Sequence, residues 1–173
     1  MKANRILEAA LAVMLGLFVV ALYLSLHETV VAAGDTAPNF SIRTDNGKTV
    51  TARGFGGKLL ILNFWATWCP PCVDETPSLI QLQKHIAPLG GTILGVSLDD
   101  DASAYAEFLK TYHIDFPTYR DPTKKSALDY GTTMYPETYI IDRNGRIDRK
   151  IIGPQDWTGP QMMAYLDSVL DQK

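Results

Sequence analysis

Residues 63–72 read Asn-Phe-Trp-Ala-Thr-Trp-Cys-Pro-Pro-Cys and contain both cysteines of this 173-residue chain. Residues 58–66 (KLLILNFWA) form an almost continuous apolar run, which is typical of a central strand buried on both faces. Residues 70–87 have the pattern of a helix. The pair Cys69 and Cys72, separated by two prolines, is therefore predicted to lie where a buried strand passes into a helix.

Three further stretches predict strands. Residues 92–98 (TILGVSL) form a second apolar run, which indicates another buried strand. Residues 135–142 and 146–152 predict two strands, because the Asn-Gly pair between them is a strong hairpin signal. The hairpin would add an antiparallel pair to the sheet.

Helical patterns separate and follow these strands. Apolar residues recur at helical spacing along residues 105–112 and again along residues 162–170. Asp121-Pro122 predicts the start of a short helix that Gly131 ends. Alternating strands and helices predict an α/β domain with a central mixed β-sheet covered by helices on both faces.

The N-terminal part differs from the rest of the chain. Residues 9–26 (AALAVMLGLFVVALYLSL) carry no charge, and at 1.5 Å per residue a helix of this length spans about 27 Å, close to the hydrocarbon core of a bilayer. Lys2 and Arg5 precede this run, so the positive-inside rule places the N-terminus in the cytoplasm. We expect residues 1–33 to be a signal-anchor or transmembrane segment with a short tether, and residues 34–173 to be one exported domain.

A cleaved signal peptide is the alternative for this segment. Small residues at 31–34 offer a cleavage site, but the apolar run is longer than the 7–15 residues usual for a signal peptide. The tether would be residues 27–33. Both alternatives place the domain outside the cytoplasm, in the periplasm or another extracytoplasmic space of a bacterium.

Composition excludes several classes of protein. The formal net charge is −3, and no basic patch of the kind that binds nucleic acid stands out. Two cysteines are too few for a disulfide-rich scaffold. A structural zinc site needs about four ligands, and two cysteines with three scattered histidines do not supply them. We therefore expect no metal and no cofactor.

The cysteine pair carries the predicted chemistry. Cys69 would lie at a helix N-terminus, where unpaired N–H groups and the positive end of the dipole stabilise a thiolate, and the thiolate is the form that attacks disulfides. Cys72, one turn further along nearly the same face, could then resolve the mixed disulfide. A purely structural bridge closing so short a loop would contribute only about 2 kcal/mol, so a redox role is favoured.

The residues around the cysteine pair resemble those of a known family. The stretch 63–72 is similar to thioredoxin-fold proteins of the TlpA/ResA/CcmG group, which are membrane-tethered, exported thiol–disulfide oxidoreductases. The resemblance begins at about Gly34 and covers the rest of the chain. Three further features support it: GDTAPNF at residues 34–40, Pro77 five residues after Cys72, and YPETYIID at residues 135–142.

The resemblance implies roles for individual residues. Cys69 would be the exposed attacking thiol and Cys72 the buried resolving thiol. Pro136 matches the family's cis-proline opposite the C-x-x-C pair, and a cis bond there would leave the Tyr135 backbone free to pair with an extended substrate. The predicted substrate-binding residues are Trp68, Pro70, Tyr135 and Pro136.

Glu75 is a further candidate for catalysis. Cytosolic thioredoxins place a buried Asp where Asn63 stands here, and Asn63 cannot take up a proton. Glu75 matches an acidic residue of the subgroup, and partial burial would raise its pKa so that it could relay a proton to or from the Cys72 sulfur. The alternative is a solvated helix charge like neighbouring Asp74.

The resemblance implies a periplasmic reductant of disulfides in client proteins such as apocytochrome c. A membrane electron donor of the thiol-reductase type would then reduce the cysteine pair again. A disulfide oxidase or general redox carrier is the alternative, since direction depends on reduction potential. A peroxidase is disfavoured because peroxiredoxins place Thr or Ser where Ala66 stands. A copper carrier is disfavoured because comparable carriers use a wider cysteine spacing and a histidine, and we expect His85 and His113 at the surface.

Overall fold

The computed structural model describes residues 2–26 and 31–171. The chain divides into two compact units, residues 1–30 and residues 31–173. Val31 is already part of the apolar core of the second unit. Of the predicted tether, residues 27–30 lie outside the described residues.

The first unit contains one helix, α1 (Lys2–Leu26). The large apolar side chains described between residues 11 and 23 of this helix are exposed, for example Leu15 at 64% and Leu17 at 65%. Within the described residues, no helix is long and apolar enough to span a membrane. The transmembrane segment at residues 9–26 therefore stays a prediction.

The second unit alternates strands and helices. In chain order its elements are β1 (Ser41–Arg43), β2 (Thr49–Thr51), β3 (Leu59–Trp65), α2 (Pro70–Ile86), β4 (Gly91–Ser97), α3 (Ala102–Thr111), β5 (Thr118–Arg120), α4 (Lys125–Asp129), β6 (Glu137–Asp142), β7 (Ile147–Ile152) and α5 (Pro160–Leu170). A short 3-10 turn extends the end of α2. Strands β1, β2 and β5, of three residues each, were not among the predicted strands.

The central sheet has five strands in the order β5-β4-β3-β6-β7. Strands β3, β4 and β5 run parallel, whereas β6 and β7 are antiparallel to their neighbours. Strands β1 and β2 form a separate antiparallel hairpin. The predicted mixed sheet with covering helices is therefore confirmed.

Strand β3 lies at the centre of this sheet, and all seven of its residues are buried. Leu59 and Ile61 pack among apolar residues of α2 and α5. Leu60 and Phe64 pack on the other face, in a cluster that also contains residues of β1, β2 and α4. Covering layers on both faces explain why the strand reads as a continuous apolar run rather than an alternating one.

The predicted starts of two elements differ from the observed ones by two residues or more. Strand β6 begins after Pro136, because a proline has no N–H to donate to the ladder. The short helix α4 begins at Lys125 rather than at Asp121-Pro122. The Asp121 carboxylate still caps it from a distance, accepting the Ser126 N–H at 2.8 Å across an intervening turn.

Candidate active site

The two cysteines lie just beyond the C-terminal end of β3. Cys69 is the residue that precedes α2, with an extended backbone, and its N–H donates to the Ala66 carbonyl at 3.2 Å. Cys69 and Cys72 are joined by a disulfide, with their Cα atoms 5.3 Å apart. The chain therefore turns sharply between strand and helix, and this turn brings the two sulfurs together.

The start of α2 lacks the free N–H donors that we expected there. Pro70 and Pro71 occupy its first two positions, and neither has an N–H. The next donor, the Cys72 N–H, is used by the Cys69 carbonyl at 3.0 Å. The prediction of unpaired N–H groups facing Cys69 is therefore wrong for these positions, and of the two predicted stabilising factors the helix dipole remains.

Both cysteines are enclosed in the oxidised form. Cys69 is 5% exposed and Cys72 1% exposed, within an apolar cluster that includes Trp65, Ala66 and Phe108. Cys69 is the more accessible of the two, yet it is not the exposed residue that we expected. Its sulfur is bonded to Cys72, and the cluster covers most of the remaining surface.

The predicted substrate-binding residues lie on one rim beside the disulfide. Trp68 is 59% exposed, and its ring meets the Tyr135 ring edge-to-face at 6.0 Å. The Tyr135–Pro136 peptide bond is cis, Pro136 is buried, and Pro70 is exposed at the start of α2. Within residues 31–171 the main-chain N–H and C=O of Tyr135 make no hydrogen bond to other main-chain groups.

Glu75 is buried rather than solvated. It is 4% exposed, and burial raises the pKa of its carboxyl against the opposing effect of three hydrogen-bond donors. The donors are the Gln155 N–H at 3.1 Å, the Asn63 Nδ2 at 2.9 Å and the Trp157 Nε1 at 3.3 Å. None of its hydrogen bonds within the described residues reaches Cys72. The alternative of a solvated helix charge is therefore wrong, whereas the proton relay stays a prediction.

A cavity of about 290 Å³ opens beside Glu75. Its lining comes from α2 and from the loop between β7 and α5. The lining residues are Asp74, Glu75, Ser78, Pro154, Gln155 and Asp156. Glu75 therefore borders a solvent-accessible space, although the residue is only 4% exposed.

Most of the groups around Glu75 are not predictable from local sequence patterns. Asn63 donates through Nδ2 to both Glu75 and the Thr138 hydroxyl, each at 2.9 Å. Asn63 stands out as the one polar residue in an apolar strand, but its partners do not. Gln155 and Trp157 lie in a loop far along the chain, and no local pattern connects them with α2.

Other candidate residues lie apart from the cysteines. His85, near the end of α2, is exposed and pairs with Asp167 at 2.8 Å. His85 follows Cys72 by thirteen helical residues, which places it about 20 Å from Cys72 along the axis of α2. His113 is exposed beyond α3. Ala66 is fully buried and has no hydroxyl to offer at the position where peroxiredoxins carry one.

Known proteins resemble this chain in sequence and in fold. The model of the AhpC/TSA family matches residues 33–150. The "Thiol-disulfide oxidoreductase ResA" of Bacillus cereus is 34% identical over 136 residues, which is 79% of this chain and 78% of that protein. The "Thioredoxin-like protein YneN" of Bacillus subtilis is 35% identical over 145 residues, 83% of this chain and 84% of that protein.

A solved structure agrees with these relatives. A thiol:disulfide interchange protein of the thioredoxin family from Chlorobium tepidum has a TM-score of 0.65 and 30% identity, covering 80% of this chain and 95% of that one. The shared fold, the C-x-x-C disulfide and the extent of these matches lead to one assignment. The chain belongs to the AhpC/TSA family and is a thiol–disulfide oxidoreductase of the ResA type.

Proposed function

We propose that this oxidoreductase is an exported reductant of disulfides in client proteins. The observation that carries the proposal is the Cys69–Cys72 disulfide at the start of α2, beside the exposed ring of Trp68 and the half-buried ring of Tyr135. An apolar rim next to an accessible edge of main chain suits an extended polypeptide better than a small molecule.

The proposed reaction starts from the dithiol form. The Cys69 thiolate attacks one sulfur of the client disulfide, forming an S–S bond to the client and releasing a client thiolate, which takes up a proton. Cys72 then loses its proton and attacks the Cys69 sulfur, which releases the second client thiolate. Two electrons and two protons pass to the client, and the Cys69–Cys72 disulfide forms.

The two prolines at the start of α2 support a reducing direction. A strong oxidant stabilises its reduced form, and its potential lies near about −120 mV, against about −270 mV for thioredoxin. Pro70 and Pro71 remove two N–H groups that could otherwise bond the Cys69 thiolate. Less stabilisation of that thiolate lowers the potential. Equilibration with glutathione should give a value below about −200 mV, and one above about −150 mV would assign the chain to the oxidases.

Glu75 fits the proton transfer in this proposal. Burial raises the pKa of the Glu75 carboxyl, which makes its carboxylate a better base for accepting the proton that Cys72 loses before it attacks. The adjoining cavity provides a route for proton exchange with solvent. Transfer between Glu75 and the Cys72 sulfur would need a bridging water or a small movement of the site.

Anchoring at the membrane completes the proposal. The apolar surface of α1 supports insertion of residues 9–26 into a bilayer, with the catalytic domain in the periplasm. There it would meet exported clients such as apocytochrome c and a membrane dithiol donor that restores its reduced form. Carbonate extraction of bacterial membranes should leave the chain in the pellet. Recovery of a shortened, soluble chain would show instead that the segment is cleaved.

Trapping tests the central step and identifies the client. In Cys72→Ala the mixed disulfide cannot be resolved, so Cys69 should remain bonded to its client, which mass spectrometry then identifies. Cys69→Ala is the matched control, since it keeps one cysteine in the same motif but removes the attacking one. Equal capture by both variants, or by neither, would contradict the assignment of Cys69.

A further inference from the structure

Three consecutive aspartates, residues 99–101, follow β4. As sequence they resemble a solvated acidic run, yet the three side chains have different surroundings. The Asp100 side chain is 77% exposed, with Lys124 at 3.5 Å. Asp101 caps α3 by accepting the Ser103 and Ala104 N–H groups at 2.7 and 3.2 Å. Asp99 is 1% exposed.

The buried Asp99 carboxylate contacts the loop that leads to the cysteines. Its Oδ1 accepts the Thr67 hydroxyl at 2.6 Å, and both of its oxygens lie 3.1 Å from the Thr67 nitrogen. Its Oδ2 also accepts the Ser97 hydroxyl at 2.6 Å. Thr67 is thus fixed through its main chain and its side chain by one carboxylate, and Asp99 is itself fixed to the end of β4.

Thr67 lies two residues before Cys69, inside the turn closed by the Cys69 N–H and the Ala66 carbonyl. Trp68, between Thr67 and Cys69, projects towards solvent and meets Tyr135. The Arg120 side chain donates to the main-chain carbonyls of Asp99 and Asp100 at 3.2 Å each, which fixes the main chain that carries the Asp99 side chain. The orientation of the Cys69 turn relative to the sheet therefore depends on Asp99.

We propose that Asp99 is a positioning residue for thiol–disulfide exchange, holding Thr67 so that the Cys69 sulfur faces an incoming disulfide. The proposal rests on the assignment of Cys69 as the attacking thiol. Asp99 acts through hydrogen bonds to Thr67 and not through contact with the substrate. A misplacement of about 1 Å at a reacting atom can cost on the order of 100-fold in rate, so a fixed turn has a large kinetic value.

The test measures attack by Cys69 alone. The full chain in detergent, with Cys72→Ala in every variant, is reduced and mixed with a small aromatic disulfide across a range of pH. Asp99→Ala should slow the attack by about 10- to 100-fold at every pH. Asp99→Asn should stay close to the parent, because its amide oxygen still accepts from Thr67 and its amide nitrogen can donate to Ser97. Asp100→Asn, the matched neighbour, should leave the rate unchanged.

Two results would overturn the proposal. Folded Asp99→Ala reacting as fast as the parent would show that the contact has no kinetic role. Asp99→Asn reacting as slowly as Asp99→Ala would show that the charge matters and not the geometry. A parent protein whose Cys69 does not react would instead refute the proposed function, so the two failures are distinguishable.

A second pair of variants covers the possibility that Asp99→Ala does not fold. Thr67→Val keeps the shape and the N–H but removes the hydroxyl bonded to Asp99, whereas Thr67→Ser keeps that hydroxyl. Thr67→Val should react more slowly, and Thr67→Ser should react like the parent. Equal rates for folded Thr67→Val and Thr67→Ser would also overturn the proposal.

Discussion

Glu75 and Glu137 are two buried glutamates on opposite sides of the central sheet, and their surroundings differ. Glu75 is 4% exposed and Glu137 2% exposed. The hydrogen bonds of Glu75 come from an amide, a main-chain N–H and an indole, all of them uncharged. Glu137 instead pairs with the Lys150 ammonium at 2.8 Å.

Two side chains surround the Glu137 carboxylate. The Tyr139 hydroxyl also donates to its carboxylate, and the Lys150 ammonium lies over the Tyr139 ring at 5.2 Å. Although burial alone lowers the pKa of Lys150, its hydrogen bonds to Glu137 and Tyr139 raise that pKa overall. Glu137 follows Pro136 directly, so this pair fixes β6 where it leaves the active-site rim.

The difference teaches that burial alone does not make a carboxyl reactive. A buried acid paired with a cation contributes to structure, whereas burial among neutral donors raises the pKa of the Glu75 carboxyl towards the range useful in catalysis. Glu75 is therefore the candidate for proton transfer, and Glu137 is a structural residue. The predictions below test this division.

The largest expected effect comes from Glu137→Gln, which removes the charge but keeps the size. Lys150 would be left with a largely buried charge and no partner, so the free energy of unfolding should fall by about 3 kcal/mol. Urea titration measures this loss. The double variant E137Q/K150M removes both charges and should lose less than E137Q alone. If the loss in E137Q/K150M equalled the sum of the losses in E137Q and K150M, the two side chains would not be coupled.

Glu75→Gln should act chiefly on the rate of the reaction. Loss of the buried acid should slow thiol–disulfide exchange at neutral pH by about 100-fold, the lower end of the range for general acid–base catalysis. It should also alter the pH profile of the rate. Asp74→Asn, on the exposed neighbour, is the matched control. Unchanged kinetics for Glu75→Gln from about pH 6 to 9 would remove Glu75 from the mechanism.

Glu75 should also alter how stability depends on pH. Its pKa is raised from the ordinary 4.5, chiefly by burial, so the folded chain holds this proton more tightly than the unfolded chain. The stabilisation is complete below pH 4.5 and is lost as the pH rises through the folded pKa, by about 1.4 kcal/mol for each pH unit between the two pKa values. Urea titrations at several pH values should show that wild type loses stability relative to Glu75→Gln as the pH rises. A constant difference would show that the pKa is not raised.

The fold could be predicted because its main signals are local. Strand β3 is buried on both faces, so its sequence is apolar throughout, and the C-x-x-C pair follows within a few residues. The Asp-Pro pair predicts the start of α4 too early because Lys124 adopts a left-handed backbone (φ 58°) that delays the helix. Such a turn depends on neighbouring contacts as well as on the local sequence.

The site was predicted less completely than the fold. The cysteines and Glu75 lie close together along the chain, within reach of sequence reasoning. The groups that determine the environment of Glu75 come from elsewhere: the Gln155 N–H and the Trp157 indole are 80 and 82 residues further along the chain. Only the packing of α5 and its preceding loop onto α2 brings them together, so single-sequence patterns could not reveal them.

The smallest expected effect extends the comparison to the surface. His85 and Asp167 form a pair at 2.8 Å, which is an ion pair only where the imidazole is protonated, and their side chains are 39% and 44% exposed, so solvent and salt screen it. Asp167→Asn should therefore cost about 0.3 kcal/mol, and the loss should disappear in about 1 M salt. The loss caused by Glu137→Gln should largely persist in the same salt, because salt screens a largely buried pair much less. If salt removed the losses caused by both Asp167→Asn and Glu137→Gln, the Glu137–Lys150 pair would behave as a surface contact. The difference between Glu137 and Glu75 would then depend on the kinetic effect of Glu75→Gln alone.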